Sequence, residues 1–477
     1  MKKLSQLPLY SFFALFALLF SCAGGDPAYL ADSPDGGRGS EEERDRVIDE
    51  GEVVPPEAEE KYETGLPDPD EIRLNDTVRF QKLDGVGANS YAFPFVNDNG
   101  WDFDAVKDVF DELDLHYIRL ASWFEFWEPE QGVYDRSGII NAHDLRFAQF
   151  LTSKDITVEL GVWNVANWML ESTNPRRVDP ARYPALGASI ASYVNFMREN
   201  GVPMEITEIQ NEPGIEARVI YDSPEDVRDA AKALIHALDE AGLEDVMIHG
   251  PNWHAPLAAG DRAAEAWLED DALRERTVAL SYHTWWVDSF ERYDAIRKIA
   301  EKHNKPVWAT EVGFCALPGG CNNGHYLLPE TYETAFDFAM SYYRAIAWSR
   351  AERLYHWTVL GHDPIVAPGT GERYPSFYAL KHFSNYITPG SRFIETASGD
   401  PEIHSLAFLH PSGDRTVVLI NESASATKRV ALTDVRGDEL NLIEGMLTSR
   451  SGTRDLDALD PEAVELPARS ILSVRFE

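Results

Sequence analysis

A regular alternation between two kinds of segment constrains the fold of this chain more than any other feature. Eight short apolar or β-branched runs recur, starting at residues 83, 117, 156, 206, 246, 279, 307 and 353. The stretches between them place apolar residues at helical spacing, as SPEDVRDAAKALIHALDEAG does at 223–242. Eight strands that are each followed by a helix are typical of a (β/α)8 TIM barrel, which is an α/β fold.

The competing fold is an open, doubly wound sheet, and the first strand argues against it. Such a sheet usually carries a glycine-rich phosphate loop after its first strand. The segment GVGANSY at 85–91 lacks the third glycine and the helix start of that loop. We therefore predict a (β/α)8 catalytic barrel over residues 72–388.

The pattern changes after PGSRF at 389–393. Short strand-like runs such as RTVVLINES (415–423) and ARSILSVRF (468–476) follow one another, separated by turn residues and without a helical stretch. Closely spaced strands of this kind are typical of a β-sandwich. We predict a C-terminal β-sandwich side domain over residues 389–477.

The N-terminus indicates export. A basic MKK precedes the short apolar stretch LPLYSFFALFALLF at 7–20, which is the pattern of a signal peptide. The small residue Ser21 before Cys22 resembles the lipobox of bacterial lipoproteins, and that resemblance implies cleavage after residue 21 and lipidation of Cys22. We predict a lipoprotein signal peptide at 1–21 and an acidic, disordered tether at 22–71. The protein would then be exported and held at a bacterial membrane through its lipid anchor alone. A plain signal peptide with a chance cysteine is the alternative.

Charge and cysteine content exclude several partners. The net charge of −37 argues against nucleic acid, which requires a basic surface, and against docking on anionic lipid. It leaves a solubility device or adaptation to high salt as explanations. Besides Cys22, the chain has only Cys315 and Cys321, which are candidates for a disulfide in an oxidising compartment. Two cysteines without nearby partners form a poor zinc site, and we predict neither a metal nor a cofactor.

Two carboxylates follow predicted strands that face each other across the mouth of such a barrel. Glu212 ends ITEIQNE, the fourth strand, and Glu311 ends the seventh. The functional face of a barrel lies at these carboxyl ends, and a bare carboxylate is costly to bury without a purpose. One protonated and one ionised carboxyl group are what glycosidic-bond hydrolysis needs. A single glutamate at a strand end is more often a salt-bridge partner, so the prediction depends on the pair.

The residues around this pair suggest individual roles. Glu212 would be the general acid/base and Glu311 the nucleophile, about 5 Å apart in a retaining enzyme. Arg119 would keep Glu311 ionised, and Asn211 would donate a hydrogen bond to the sugar 2-hydroxyl. An apolar wall and the charge of Glu311 would keep Glu212 protonated. The predicted substrate-binding set is Arg119, Trp163, Asn211, Trp253, Tyr282, His283, Trp285 and Trp357. Each tryptophan taken singly could instead belong to the core.

These residues resemble the clan A glycoside hydrolases, which pair Asn-Glu on strand four with Glu on strand seven. Within the clan, IQNEP (209–213), FSNYITPGSRFI (383–394) and ELPARSILSVRF (465–476) resemble glycoside hydrolase family 30. The resemblance implies a retaining β-glycoside hydrolase without a cofactor, and an N-terminal strand, here EIRLNDTVRF (71–80), that joins the sandwich.

Two departures from family 30 accompany the resemblance. The family usually has a tyrosine shortly after the histidine of strand six, where this chain has Trp285. The segment YIRLASWFEFWEPEQGVYD (117–135) is more similar to families 39 or 5 of the same clan.

The function predicted from the sequence is therefore that of an endo-β-glycanase or β-glycosidase. Its substrates would be β-linked glucan, xylan or galactan-type glycans, and we expect a monomer with a polysaccharide or oligosaccharide as its partner. The alternative is a lipid-anchored, non-catalytic glycan-binding protein on a degenerate barrel. Such a protein would keep the aromatic residues and lose one of the two carboxylates, whereas this chain has both.

Overall fold

The computed structural model describes residues 67–90, 107–214, 219–285, 287, 289–313, 328–360, 364–367 and 370–477. The predicted signal peptide at 1–21, Cys22, nearly all of the predicted tether, Cys315 and Cys321 lie outside these ranges. Their assignments therefore stay predictions. In the part of the chain that is described, no helix combines the length and the hydropathy needed to cross a membrane.

Strands and helices alternate through the first two thirds of the described chain. The strands are β1 (Glu71–Lys82), β2 (Gly85–Ser90), β3 (Tyr117–Trp123), β4 (Thr157–Asn164), β5 (Leu170–Thr173), β6 (Arg176–Val178), β7 (Ile206–Thr207), β8 (Met247–Trp253), β9 (Thr277–His283), β10 (Val307–Val312) and β11 (Ala351–Leu360). The helices are α1 (Val109–Glu112), α2 (Phe124–Trp127), α3 (Ile139–Thr152), α4 (Tyr183–Glu199), α5 (Pro224–Glu240), α6 (Ala258–Glu269), α7 (Asp271–Arg276), α8 (Phe290–Lys302), α9 (Tyr332–Ala347) and α10 (Pro375–Ser384).

Eight of these strands close into a parallel barrel in the order β10-β11-β2-β3-β4-β7-β8-β9. The predicted (β/α)8 fold is confirmed. Local chemistry explains the elements: Ser223 caps α5 by accepting a hydrogen bond from the Asp226 amide at 3.1 Å. Gly187 lets α4 approach α5, because a Cβ there would lie 2.8 Å from the Ala233 carbonyl oxygen. All eight strands run the same way, so their carboxyl ends meet at one rim.

A second sheet forms the C-terminal domain. Its strands are β12 (Arg392–Ser398), β13 (Ile403–Leu409), β14 (Arg415–Asn421), β15 (Lys428–Asp434), β16 (Leu442–Ser449), β17 (Gly452–Asp455), β18 (Val464–Leu466) and β19 (Ser470–Phe476). With β1 they make nine strands in the order β17-β16-β19-β14-β13-β12-β1-β15-β18. Ile72 and Leu74 of β1 are fully buried in the core of this sheet.

The position of β1 corrects one predicted boundary. We placed residues 72–388 in the barrel, but β1 pairs antiparallel with β12 and parallel with β15. The strand therefore belongs to the sheet domain, as the family resemblance implied for 71–80. The physical reason is the alternation of Ile72 and Leu74 with polar residues, which suits a strand with one buried face. Such a strand fits an antiparallel sheet better than a barrel enclosed by helices.

Buried polar contacts join the two domains. On α10, His382 contacts the Ser473 hydroxyl through Nδ1 at 2.8 Å and the Thr448 hydroxyl through Nε2 at 2.9 Å. Burial lowers the pKa of His382 to about 3, so the ring is neutral at pH 7. On α9, the Tyr332 hydroxyl donates to the Arg469 carbonyl at 2.6 Å. The side domain is thus attached to the helices outside the barrel, and the rim is left to other residues.

Candidate active site

The fourth barrel strand ends early, and this sets up the site. We predicted a strand over 206–212, whereas β7 contains only Ile206–Thr207. Beyond it, the Gln210 side-chain amide donates to the carbonyls of Val162 and Trp163 on β4, at 3.1 and 3.2 Å. The Asn211 amide also donates to the Val162 carbonyl, at 2.8 Å, so the segment stays bonded to β4 beyond the end of β7. The chain then reaches Glu212 with φ 51°, a left-handed conformation that non-glycine residues rarely adopt.

The two predicted catalytic carboxylates converge on one histidine. Nδ1 of His283, at the end of β9, lies 2.9 Å from Glu212 Oε1 and 3.1 Å from Glu311 Oε2. One donor or acceptor atom from each of these three residues lies within 4.8 Å of the others. Such a trio could also hold a metal ion, but hydrogen bonds from Nδ1–H to both carboxylates account for the close approach. All three side chains are buried.

The charge state of His283 follows from this geometry. Burial lowers the pKa of the imidazole, but the charge of Glu311 and the hydrogen bonds to Glu212 and Glu311 outweigh it, and the pKa is raised overall. A raised pKa keeps a proton on the ring nitrogen that faces the two carboxylates. His283 therefore acts as a donor that fixes both.

Glu311 accepts hydrogen bonds from two further donors. Arg119 Nη1, on β3, lies 3.1 Å from Glu311 Oε1, and Trp285 Nε1 lies 2.9 Å from Glu311 Oε2. The indole N–H thus contacts the carboxylate for which the resemblance implied a tyrosine. Gly313 makes room for it, since a Cβ at that position would overlap the Trp285 ring. Three directed donors fix the orientation of the Glu311 carboxylate.

Arg119 also orients Asn211. Its Nη2 donates to Asn211 Oδ1 at 2.7 Å, and because a guanidinium only donates, the amide oxygen must face Arg119. The Asn211 Nδ2 group is left buried, without a hydrogen-bond partner among the described residues. A buried donor of this kind needs an acceptor, which a bound ligand would provide. Asn211 is therefore prepared to bind an oxygen atom beside Glu212.

Aromatic rings line the same region. Trp163 and Trp357 stack with centroids 5.5 Å apart and an interplanar angle of 14°. Trp285 meets Trp357 edge-on at 6.2 Å, and the Arg119 guanidinium lies 4.6 Å from the Trp163 centroid. Three of the predicted tryptophans therefore form one group with the carboxylates: Trp163 on β4, Trp285 after β9 and Trp357 on β11. Such rings match the apolar face of a pyranose.

Trp253 and Tyr282 occupy different positions. Trp253 packs beside the loop that carries Glu212, because a Cβ on Gly214 would overlap its ring. Tyr282 does not reach the carboxylates. Its hydroxyl contacts the Ser349 hydroxyl at 2.7 Å, and its ring packs edge-on against Tyr293 of α8. Successive side chains of a strand point to opposite faces, so His283 faces the barrel interior and Tyr282 faces the helices.

The sequence reasoning missed three buried residues of this network. Glu208 accepts from Arg119 Nη2 at 2.7 Å, Asn252 Nδ2 donates to Glu208 Oε2 at 2.7 Å, and Asn89 Oδ1 accepts from Arg119 Nη1 at 3.0 Å. Burial raises the pKa of Glu208, and the charge of Arg119 limits the rise. The signal for Glu208 was present, since it is a carboxylate inside the run ITEIQNE, two and four residues before Gln210 and Glu212.

Comparisons with known proteins show similarity to glycoside hydrolases in the C-terminal domain and in the fold. Residues 390–474 match the family model for the glycosyl hydrolase family 30 beta sandwich domain. The fold is similar to that of the glycoside hydrolase family 30 subfamily 8 xylanase Xyn30A from Clostridium acetobutylicum. The TM-score is 0.68 at 17% identity, covering 85% of this chain and 99% of that one. The C-terminal sheet domain therefore matches the β-sandwich domain of glycoside hydrolase family 30, and the chain as a whole shares the fold of a family 30 xylanase.

Curated relatives match shorter parts of the chain. The glucuronoxylanase XynC of Bacillus subtilis is 25% identical over 272 residues, which are 54% of this chain and 58% of the relative. A putative glucosylceramidase 2 of Caenorhabditis elegans is 37% identical over 76 residues, 15% of each chain. The chain thus spans less than two thirds of the length of these relatives.

Proposed function

We propose that this chain is a retaining β-glycoside hydrolase with Glu212 as acid/base and Glu311 as nucleophile. The observation that carries the proposal is the close approach of the two carboxylates, which lie with His283 inside a 4.8 Å group. Retaining enzymes separate their carboxyl groups by about 5–5.5 Å, whereas inverting enzymes need about 6.5–9.5 Å to admit a water molecule. This spacing fits a direct attack of Glu311 on the anomeric carbon, without a water molecule between them.

The first step forms a covalent intermediate. The ionised Glu311 attacks the anomeric carbon while the glycosidic bond breaks, and Glu212 transfers its proton to the departing oxygen. Arg119, Trp285 and His283 hold Glu311 by hydrogen bonds of 2.9–3.1 Å, which orient its oxygens for attack. In the second step Glu212, now ionised, removes a proton from water, and the resulting hydroxide displaces Glu311. The sugar leaves with its original anomeric configuration.

Asn211 and the tryptophans hold the sugar. Asn211 Nδ2, which has no partner in the part of the chain that the structure describes, would donate to the 2-hydroxyl. This interaction strengthens as the oxocarbenium-like transition state forms. The Trp285 and Trp357 rings would contact the sugar, and Trp163, which is fully buried, supports Trp357 by stacking on it. The same contacts exclude water from around the two carboxylates, which strengthens every electrostatic interaction inside the site.

We infer that the substrate is a β-linked glycan with a xylan-type backbone. The relatives named as a glucuronoxylanase and a xylanase support this choice, and the shorter match to a putative glucosylceramidase supports glucosides as the second class. We expect reducing-end release from glucuronoxylan or arabinoxylan in a panel that includes β-glucans, β-galactans and aryl β-glycosides. Proton NMR of the first product should show the β-anomer. Glycan binding without release of reducing ends would contradict catalysis and favour a binding protein.

Replacing Trp285 with phenylalanine is expected to lower kcat by about 10–100-fold. The change removes the indole N–H that donates to Glu311 Oε2 and keeps an aromatic ring beside Gly313. Steady-state kinetics on an aryl β-glycoside measure the effect. Trp168→Phe is the matched control, because the Trp168 indole donates to the Glu128 carbonyl rather than to a carboxylate. Equal kcat values for the Trp285 variant and the unmodified enzyme would reject the role of this hydrogen bond.

A further inference from the structure

Glu208 lies beneath the two proposed catalytic carboxylates and is almost fully buried. Among the described residues, its two oxygens receive hydrogen bonds only from N–H donors. Arg119 donates through Nε at 3.1 Å and through Nη2 at 2.7 and 2.9 Å, the Val162 amide donates at 2.9 Å, and Asn252 Nδ2 donates at 2.7 Å. A carboxylate surrounded by donors alone is suited to the ionised form. This negative charge has no part in the chemical steps described above.

Glu208 fixes the plane of the Arg119 guanidinium. The two contacts through Nε and Nη2 form a fork on one edge of the group, which leaves Nη1 to reach Asn89 and Glu311. The fork also directs the second hydrogen bond of Nη2 to Asn211 Oδ1. A planar guanidinium held on one edge cannot rotate without losing that fork. The orientations of Glu311 and Asn211 therefore both depend on Glu208.

Glu208 also changes the charge balance of the site. One arginine forms ion pairs with both Glu208 and Glu311, with N–O distances of 2.7 and 3.1 Å. Without Glu208, the whole charge of Arg119 would act on Glu311 and, farther away, on Glu212. An uncompensated cation would stabilise the ionised forms of both carboxylates. The nucleophile would then be less reactive and the acid would lose its proton at lower pH.

The other ionisable groups near Glu208 do not replace it. His249 Nε2, on β8, lies 3.6 Å away, and burial with the charge of Arg119 lowers the pKa of His249 well below its usual value. Glu159, on β4, is held by Arg353 Nη1 and the Tyr355 hydroxyl, both at 2.6 Å. His283 bonds to the two catalytic carboxylates. Glu208 is therefore the anion that directly compensates the positive charge of Arg119 beneath the two catalytic carboxylates.

We propose that Glu208 is a positioning residue of the hydrolysis, which orients Arg119 and sets the pH range in which Glu311 and Glu212 work. This role rests on the proposed glycosidase function. It assigns a third carboxylate to the site, one that never contacts the substrate and acts through Arg119.

The test is the pH profile of kcat/KM for the full-length Glu208→Gln variant on an aryl β-glycoside. We expect kcat to fall by about 10–100-fold, and both limbs of the profile to move to lower pH by about 0.5–1 unit. The limbs move down because the loss of a negative charge favours ionisation of both carboxylates. Asp144→Asn is the matched control, because Asp144 is an equally buried carboxylate that contacts His143 and Tyr193 instead of Arg119. We expect both limbs of the pH profile of Asp144→Asn to match those of the unmodified enzyme.

The Glu208→Asp variant keeps the negative charge and shortens the side chain. It tests the positioning role if the Glu208→Gln variant does not fold. We expect its limbs to stay near those of the unmodified enzyme while kcat falls by about tenfold or more. An unchanged kcat in Glu208→Asp would overturn the orienting role, and unmoved limbs in a folded Glu208→Gln variant would overturn the electrostatic role. If the unmodified enzyme releases no sugar from any substrate of the panel, that result contradicts the proposed function itself, and the positioning role is then rejected as well.

Discussion

Replacing Glu311 with alanine is expected to lower kcat on an aryl β-glycoside by about 10⁴–10⁶-fold, the scale seen when a nucleophile is removed. Three donors are directed at the two oxygens of Glu311. Among the described residues, Glu311 is the carboxylate that shares His283 with Glu212. Without it the anomeric carbon has no internal nucleophile, and the covalent intermediate cannot form. Initial rates and the mass of the protein after treatment with a 2-deoxy-2-fluoro glycoside measure the loss.

A surface glutamate is the control for this change. Glu333 lies on α9, is half exposed and forms an ion pair with Arg450. We expect Glu333→Ala to retain the unmodified rate and to be labelled by the fluoro glycoside like the parent enzyme. A folded Glu311→Ala protein that keeps more than a tenth of the parent rate would refute the assignment of the nucleophile, and with it the proposed hydrolytic mechanism.

Replacing Glu212 with alanine is expected to have a different kinetic signature. A substrate with a good leaving group still forms the glycosyl enzyme, because it needs no proton, but water then reacts slowly without a general base. We expect kcat to fall by about 10²–10⁴-fold and a burst of leaving group to precede the slow phase. Azide, an anion that attacks without a base, should restore at least part of the rate and give a β-glycosyl azide.

The stereochemistry of the azide product separates the two carboxylates. In the Glu212 variant azide displaces Glu311 from the intermediate, so two inversions return the β configuration. In the Glu311 variant azide would attack the substrate directly and give the α-azide. An α-azide from the Glu212 variant, or the absence of any azide adduct at molar azide, would contradict its acid/base role.

Periodicity predicted the barrel well because buried strands and amphipathic helices differ clearly in their apolar spacing. The run YIRLASW coincides with β3, and VMIHGPNW differs from β8 by a single residue at its start. The fourth strand was predicted five residues too long. Its apolar and β-branched spacing continues to Ile209, whereas β7 ends at Thr207 and the Gln210 side chain bonds to carbonyls of β4. No residue propensity reports such a side-chain contact.

The candidate site was predictable where strand ends carry the chemistry. Glu212, Glu311 and His283 could be found because a polar residue that ends an apolar strand is unusual. The opposite direction of Tyr282 follows from strand alternation, which the prediction did not apply. The contact of the Trp285 indole with Glu311 depends on the turn after β9 and on the space above Gly313. Neither can be derived from the order of residues alone.

The pairing of β1 with β12 and β15 ties together segments that are far apart along the chain, since Ile72 lies opposite Ser398 and Glu71 opposite Ala431. During synthesis the first strand leaves the ribosome long before its partners exist, and the whole barrel must form in the interval. Deletions at either side of the barrel would therefore damage one and the same sheet. An expression plasmid that stops at residue 389 would yield a polypeptide whose opening strand has no neighbour and an unprotected, aggregation-prone edge.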